Sequence, residues 1–323
     1  MALRAVVESC GGFLPEKILT NEELATSVET SDEWIRERTG ICRRHMAAHG
    51  QRTSDLAVEA AKKAMAKANI GPEDIDLVIV ATATPDLTFP ATAAIVQAKL
   101  GIKQGAAFDI QAVCTGFVYA LSTAEKFLIS GQHKRALVIG AETFSRILDW
   151  QDRTTCVLFG DGAGAFVVSA VEEEQAEERG ILSSFLRCDG SMVDLLYVDG
   201  GVSATQTTGY LRMQGNKVFR EAVNKISEAM VEAARMAGIE PKDVDVFVPH
   251  QANQRILQGV VKKLGLREDQ VISTIADHGN TSAASIPLAF SVAEEDGRIK
   301  RGDLIMLEGM GGGLTWGAAL LRY

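Results

Sequence analysis

The chain of 323 residues holds about two domains' worth of material at roughly 150 residues per domain. Hydrophobic residues make up 46% and charged residues 23%, a globular balance that excludes a disordered chain. Forty-two acidic against 33 basic residues leave a net charge of −9. That excludes a protein built to wrap nucleic acid, which needs an excess of Lys and Arg for phosphate contacts.

Residues 1–20 carry one early Arg and no sustained apolar stretch, so no secretory signal is expected. No run approaches the roughly 18 apolar residues of a membrane span. Five scattered cysteines without a C-x-x-C pair read as reduced thiols. A cytoplasmic location is the expectation.

Residues 54–69 are Ala-rich with helical periodicity, and residues 72–80 (PEDIDLVIV) follow as a turn and a short apolar strand. Residues 136–140 (ALVIG) are a second such strand, ahead of the glycine loop and strand of residues 160–168 (GDGAGAFVV). A charged seam, residues 172–179, comes next. The same series then recurs about 170 residues on: a helical pattern at 219–238, PKDVDVFV at 241–248, LIML at 304–307 and GGGLTWGAALL at 311–321. Repetition in the same order argues for a duplicated βα module, with halves at residues 1–172 and 173–323. Continuous apolar strands imply burial on both faces by helices. A site shared by two such halves lies at strand C-terminal ends.

Four segments there carry chemistry. Residues 108–116 place Cys114 at the start of a helical stretch, where backbone N–H groups and the helix dipole favour a thiolate. Residues 246–253 deliver His250 after a strand, residues 277–282 present His278 and Asn280, and residues 308–313 end in three glycines that let backbone approach a ligand. Cys with His suggests thiol acyl chemistry. Gly160 to Gly164 does not open a helix and so departs from a dinucleotide fingerprint. Cys42, His45 and His49 have metal-like spacing without a fourth ligand nearby, and no metal is expected.

Together these segments resemble the β-ketoacyl-acyl carrier protein synthase III family, the initiating condensing enzymes of type II fatty acid synthesis in the thiolase superfamily. The resemblance rests on residues 39–41 (TGI), 112–116 (AVCTG), 160–165 (GDGAGA), 250–256 (HQANQRI), 278–285 (HGNTSAAS) and 311–317 (GGGLTWG), spread over the chain. It implies a thiolase-like α/β fold of five layers, αβαβα, built from two similar halves with pseudo-twofold symmetry, and a homodimer. It implies Cys114 as nucleophile, His250 and Asn280 as donors to an enolate, and an oxyanion hole from the N–H groups of Cys114 and Gly312. His278 then shapes the loop that presents Asn280.

The resemblance also implies decarboxylative condensation of acetyl-CoA, or another short acyl-CoA, with malonyl-acyl carrier protein. CoA is then a substrate rather than a cofactor, and no cofactor is expected. CoA contacts map onto Thr30, Trp34, Arg38, Arg153, Met213, Gly215, Phe219 and Asn253; Thr154 stands where the family often has Gly. Phe89 (crossing from a dimer partner), Phe144, Phe159, Leu195, Leu211 and Met310 are expected around the acyl group. The acidic carrier protein is expected to dock on Gln251, Ala252, Asn253, Gln254, Arg255, Arg220, Lys262 and Lys263. The alternative is a starter-unit ketosynthase of polyketide or other secondary metabolism using a different acyl-CoA.

Overall fold

Short apolar strands preceded by a proline turn are the recurring unit of the computed structural model, which describes residues 2–323. Pro72–Asp74 and Pro241–Asp243 each form one turn of 3-10 helix, with proline in the first turn where its missing N–H costs nothing. Leu77–Ala81 and Val246–Pro249 follow as fully buried strands. Leu77–Ala81 pairs in parallel with Arg135–Thr143, and Val246–Pro249 pairs in parallel with Leu304–Gly311. Leu77 faces Ala136 and Val246 faces Ile305, so the two halves keep one offset residue for residue.

Antiparallel strands continue both sheets. Asp161–Glu172 and then Leu3–Phe13 extend the first; Thr315–Arg322 and then Gly180–Cys188 extend the second. A parallel edge strand, Ala106–Ile110, completes five strands in the first sheet. At that edge the second sheet has a single bridge from Phe247 to Val271. The charged seam is a short turn, Glu173–Gln175, tied back by Arg4 to Glu173 at 2.7 Å.

Strand parity sets the layers. Leu77, Ile79 and Ala81 face a central core with Val246, Val248, Ile305 and Leu307, while Val78 and Val80 face outward under the helix Thr53–Ala68. Helices Gly116–Ile129 and Ser285–Glu295 fill the space between the sheets. Gly215–Met236 and Gln254–Leu264 cover the outer face of the second sheet. The result is helix, sheet, helix, sheet, helix. Gly215–Met236 starts one turn before the apolar period, because its first turn carries the polar Asn216 and Lys217.

The two central helices share an irregular start. Val113 has φ 48° and Ser282 φ 49°, each opening a 3-10 turn ahead of its helix. A β-branched residue in the left-handed region is strained by roughly 1–3 kcal/mol. Both positions lie where the halves touch. A Cβ on Gly140 would meet the Ala283 carbonyl at 2.2 Å, and one on Gly309 would meet the Cys114 carbonyl at 3.1 Å. Glycine lets each half's strand press against the other half's helix start.

Candidate active site

Cys114 sits in the irregular turn Val113–Thr115 before the central helix Gly116–Ile129 and is almost fully buried. The second half's glycine segment crosses directly beside it. A Cβ on Gly311 would lie 2.6 Å from the Cys114 nitrogen, and one on Gly312 would meet the Leu196 carbonyl at 2.7 Å. Thr115 Oγ1 donates to the Thr315 carbonyl at 3.1 Å, and Thr315 Oγ1 donates to the Ala112 carbonyl at 3.0 Å. These bonds fasten the nucleophile's turn to the glycine strand. Against the expectation of a thiolate, burial pushes the thiol up to about 12. Here desolvation outweighs the helix terminus.

His250 follows the buried strand Val246–Pro249, its N–H held by the Glu308 carbonyl at 2.8 Å. Its Nδ1 lies 2.6 Å from Ser285 Oγ, which also accepts the Gln251 N–H at 3.2 Å. With no other acceptor for its hydrogen among the described residues, the Ser285 hydroxyl donates to Nδ1. The ring proton is therefore on Nε2. Burial pushes the imidazole down to about 3, so His250 is a neutral donor.

Asn280 is fixed through its backbone. Its N–H donates to the Leu158 carbonyl at 2.9 Å, and its carbonyl accepts from Gly160 at 3.0 Å. Its Oδ1 accepts the Ser282 N–H at 2.9 Å, which leaves the amide nitrogen as the group able to donate elsewhere. Cys114, His250 and Asn280 all line one cavity of about 530 Å³.

The mouth of that cavity is lined by Trp34, Arg38, Met213, Gly215, Phe219 and Asn253. Arg38 and Arg153 place their guanidinium carbons 4.9 and 5.3 Å from the Trp34 ring centroid, both within cation–π range. Arg153 also donates to the Glu29 carbonyl at 3.0 Å. Asn253 caps the helix Gln254–Leu264 and donates to the Arg38 carbonyl at 3.1 Å. Thr154 reaches the lining, whereas Thr30 does not; its hydroxyl is buried without a partner.

The expected acyl wall needs correction. Phe159 and Met310 line the cavity, but Phe144 is buried behind Phe159, stacked at 5.0 Å. Leu196 lines the cavity, while Leu195 lines a separate polar depression with Gln214 and Arg220. Leu195 ends the 3-10 helix Gly190–Leu195 and Leu196 opens the strand Leu196–Val198, so the chain changes conformation between them. Leu211 is buried in the cluster behind the cavity, and Phe89 is 83% exposed, outside its own chain's pocket.

The expected docking set also divides. Gln251 is fully buried: its amide donates to the Pro249 and Ile272 carbonyls, and its Oε1 accepts the Thr274 N–H. It is a strut that satisfies strand-end groups rather than a surface contact. Ala252 and Gln254 are half-buried, and Ala252 lines the cavity with Asn253. Arg255, Lys262, Lys263 and Arg220 are exposed. Arg255 stands at the mouth, and Lys263 Nζ donates to Asn224 at 2.7 Å.

Sequence reading missed the buried polar groups Glu142, Ser282 and Ser285 behind the site, and Glu308 beneath the helices on the outer face of the second sheet. The available signal was an acidic residue at the end of an apolar strand. The Glu308 carboxyl is 1% exposed with Oε2 unpartnered, and burial pushes it up to about 8. Its charged form is disfavoured only in the folded state, so stability falls as pH rises from the ordinary carboxyl value toward about 8. Glu308→Gln is expected to remove part of that fall. Relative to the parent, the variant should gain on the order of 3 kcal/mol between pH 5 and pH 8 in urea unfolding.

Family models described as 3-oxoacyl-[acyl-carrier-protein (ACP)] synthase III match residues 108–190, and the C-terminal model of the same description matches residues 234–323. The chain is 60% identical over 323 residues to a β-ketoacyl-[acyl-carrier-protein] synthase III of Rhodospirillum centenum, covering 100% of each. It is 61% identical over 321 residues to the protein of that name from Caulobacter vibrioides, covering 99% of this chain and 100% of the relative. The crystal structure of 3-oxoacyl-[acyl-carrier-protein] synthase III from Aquifex aeolicus superposes with TM-score 0.93 at 47% identity, covering 99% and 100% of the two chains. The priming β-ketosynthase of the R1128 polyketide pathway superposes with TM-score 0.93 at 34% identity, covering 99% and 97%.

Proposed function

The chain belongs to the 3-oxoacyl-[acyl-carrier-protein] synthase III family, and we propose from that premise that Cys114, His250 and Asn280 carry its two-stage condensation. The family's activity is that of a condensing acyltransferase that initiates fatty acid synthesis. In the first stage Cys114 attacks the thioester carbonyl of an acyl-CoA, acetyl-CoA or another short donor, and CoA leaves. In the second, malonyl-acyl carrier protein enters and loses CO₂, and the resulting enolate carbon attacks the Cys114 thioester. The product is the β-ketoacyl-carrier protein, acetoacetyl when the donor is acetyl-CoA.

The observation that carries this reading is that His250, its Nδ1 engaged by Ser285, and Asn280 line the same cavity as the buried Cys114. Two neutral donors suit an enolate oxygen: they stabilise developing negative charge without delivering a proton that would quench the carbanion. The tetrahedral oxyanion on Cys114 is assigned to the N–H groups of Cys114 and Gly312. CoA enters as a substrate thioester, so these steps call on no resident cofactor. Trp34 with Arg153 receives the adenine, Arg38 meets phosphate, and Arg153 shifts from its place over Trp34 to admit the base.

A short donor is supported by the bulky wall of Phe159, Leu196 and Met310, backed by Phe144. Phe89, with Leu87 also exposed in the same loop, is assigned to the partner's cavity in a homodimer. Assay of a panel of acyl-CoAs with malonyl-carrier protein tests the reading: the acetyl donor is expected to give the highest rate of β-ketoacyl product. Preference for medium-length donors, with acetyl-CoA inert, would favour the starter-unit reading.

Arg255 is assigned to the acidic carrier protein, with Lys262 two helical turns on along Gln254–Leu264 and on the same face. Arg255→Glu is expected to lower malonyl-carrier turnover about 10-fold while largely sparing acyl-CoA loading. Equal loss in both half-reactions would remove Arg255 from docking.

A further inference from the structure

Arg44 lies on the short strand Arg43–Met46 and is 0% exposed. Its Nη1 donates to Asn21 Oδ1 at 2.8 Å and to the Leu19 carbonyl at 3.2 Å, and its Nη2 donates to the Val157 carbonyl at 2.7 Å. All three acceptors are neutral. Burial pushes the guanidinium down to about 10, so it stays a cation at neutral pH. A buried cation must be offset by its acceptors, and these lie on two segments that serve different ends of the cavity.

Asn21 leads to the mouth. It is also 0% exposed, and its Nδ2 donates to Asp32 Oδ1 and to the Ile41 carbonyl, both at 2.8 Å. Asp32 opens the helix Asp32–Thr39, and Ile41 lies just past its C-cap Gly40. One side-chain amide thus spans both ends of the helix that carries Trp34 and Arg38. Both its hydrogens are placed and its oxygen is taken by Arg44, so each polar atom of the amide has a partner.

Val157 leads to the reacting end. It lines the cavity, and the residues after it hold Asn280 by the backbone, through the Leu158 carbonyl and the Gly160 N–H. The Arg44 side chain packs beneath that tie: a Cβ on Gly160 or on Gly279 would meet the Arg44 Cβ at 3.0 or 3.1 Å.

Resting on the placement of CoA and of Asn280 given above, we propose that Arg44 is a positioning residue that fixes the nucleotide helix against the Asn280 loop, through Asn21 on one side and Val157 on the other. It touches no reacting atom. It holds Trp34 and Arg38 where a gripped donor brings its thioester to Cys114, and it keeps the Asn280 amide aimed at the enolate. A shift of about 1 Å arising away from the chemistry can cost about 10²-fold. Lysine does not substitute, because a single ammonium lacks the planar fork that meets two segments at once.

The test compares loading of Cys114 by acetyl-CoA and by acetyl-pantetheine, which lacks the nucleotide, each followed by intact mass. Condensation is measured separately, on preloaded protein given malonyl-carrier protein. Asn21→Ala frees the helix but leaves Arg44 on Val157, so KM for acetyl-CoA should rise about 10-fold while acetyl-pantetheine loading and condensation change little. Arg44→Met should raise that KM as much, spare acetyl-pantetheine loading and lower condensation about 10-fold. Arg44→Lys, which keeps the charge without the fork, should follow Arg44→Met, and with Asn21→Ala it decides the matter if the methionine variant fails to fold. Loss by the same factor with both donors, full recovery in Arg44→Lys, or condensation lowered as much in Asn21→Ala as at Arg44 would overturn the proposal. A parent that loads both donors equally well would instead overturn the placement of the nucleotide at Trp34.

Discussion

Cys114→Ala is expected to abolish acyl transfer from acyl-CoA, lowering β-ketoacyl formation by about 10⁴-fold or more. No other group in the cavity offers an equivalent nucleophile: His250 is neutral with its ring fixed by Ser285, and Asn280 is an amide. Truncating one buried sulfur leaves the glycine crossing and the Thr115–Thr315 bonds in place, so the fold should survive with a modest cost. The variant should still decarboxylate malonyl-carrier protein, because enolate stabilisation is assigned to His250 and Asn280. Measuring released CO₂ beside β-ketoacyl product separates the two stages. Loss of both together would place Cys114 in the decarboxylation step as well.

His250→Ala and Asn280→Ala are expected to do the converse. Each removes one donor to the enolate oxygen and should lower condensation by about 10²–10³-fold. Loading of Cys114 by acyl-CoA should persist in both. The double variant should lose much less than the product of the two effects, because both donors act on one charge. Asn280→Asp should be worse than Asn280→Ala, since a carboxylate would face the enolate. Because burial pushes His250 down to about 3, its protonation should not limit condensation between pH 5 and 8. The same shift affects stability: the unfolded imidazole binds a proton below its ordinary value of 6.5 while the folded one does not, so its contribution falls as pH drops from 6.5 toward about 3.

The sequence carried the architecture because its strands are short, apolar and repeated. Leu77–Ala81 and Val246–Pro249, each behind a proline turn, stand in the same register against the next strand of their half. Cys114, His250 and Asn280 were legible because strand ends and helix starts place side chains where the two halves meet. What sequence could not supply was which face a residue takes. Leu195 and Leu196 differ by one position, and only the second lines the cavity. Gln251 sits within a segment read as docking surface, yet unpaired strand-end carbonyls draw its amide inward. Glu142 and Ser282 are far apart in sequence, and their hydrogen bond exists only because the halves pack with glycine at the crossing. The thiol's character also depends on burial, which a motif does not state.

The central claim is that Cys114 carries the acyl group between two substrates. Intact mass of the protein after acetyl-CoA alone, and again after malonyl-carrier protein is added, tests it most directly. The account predicts one added acetyl group located on the Cys114 peptide, lost with one equivalent of acetoacetyl-carrier protein when the second substrate arrives. Acetyl labelling that persists in Cys114→Ala, or product formed while the parent's label stays in place, would contradict it.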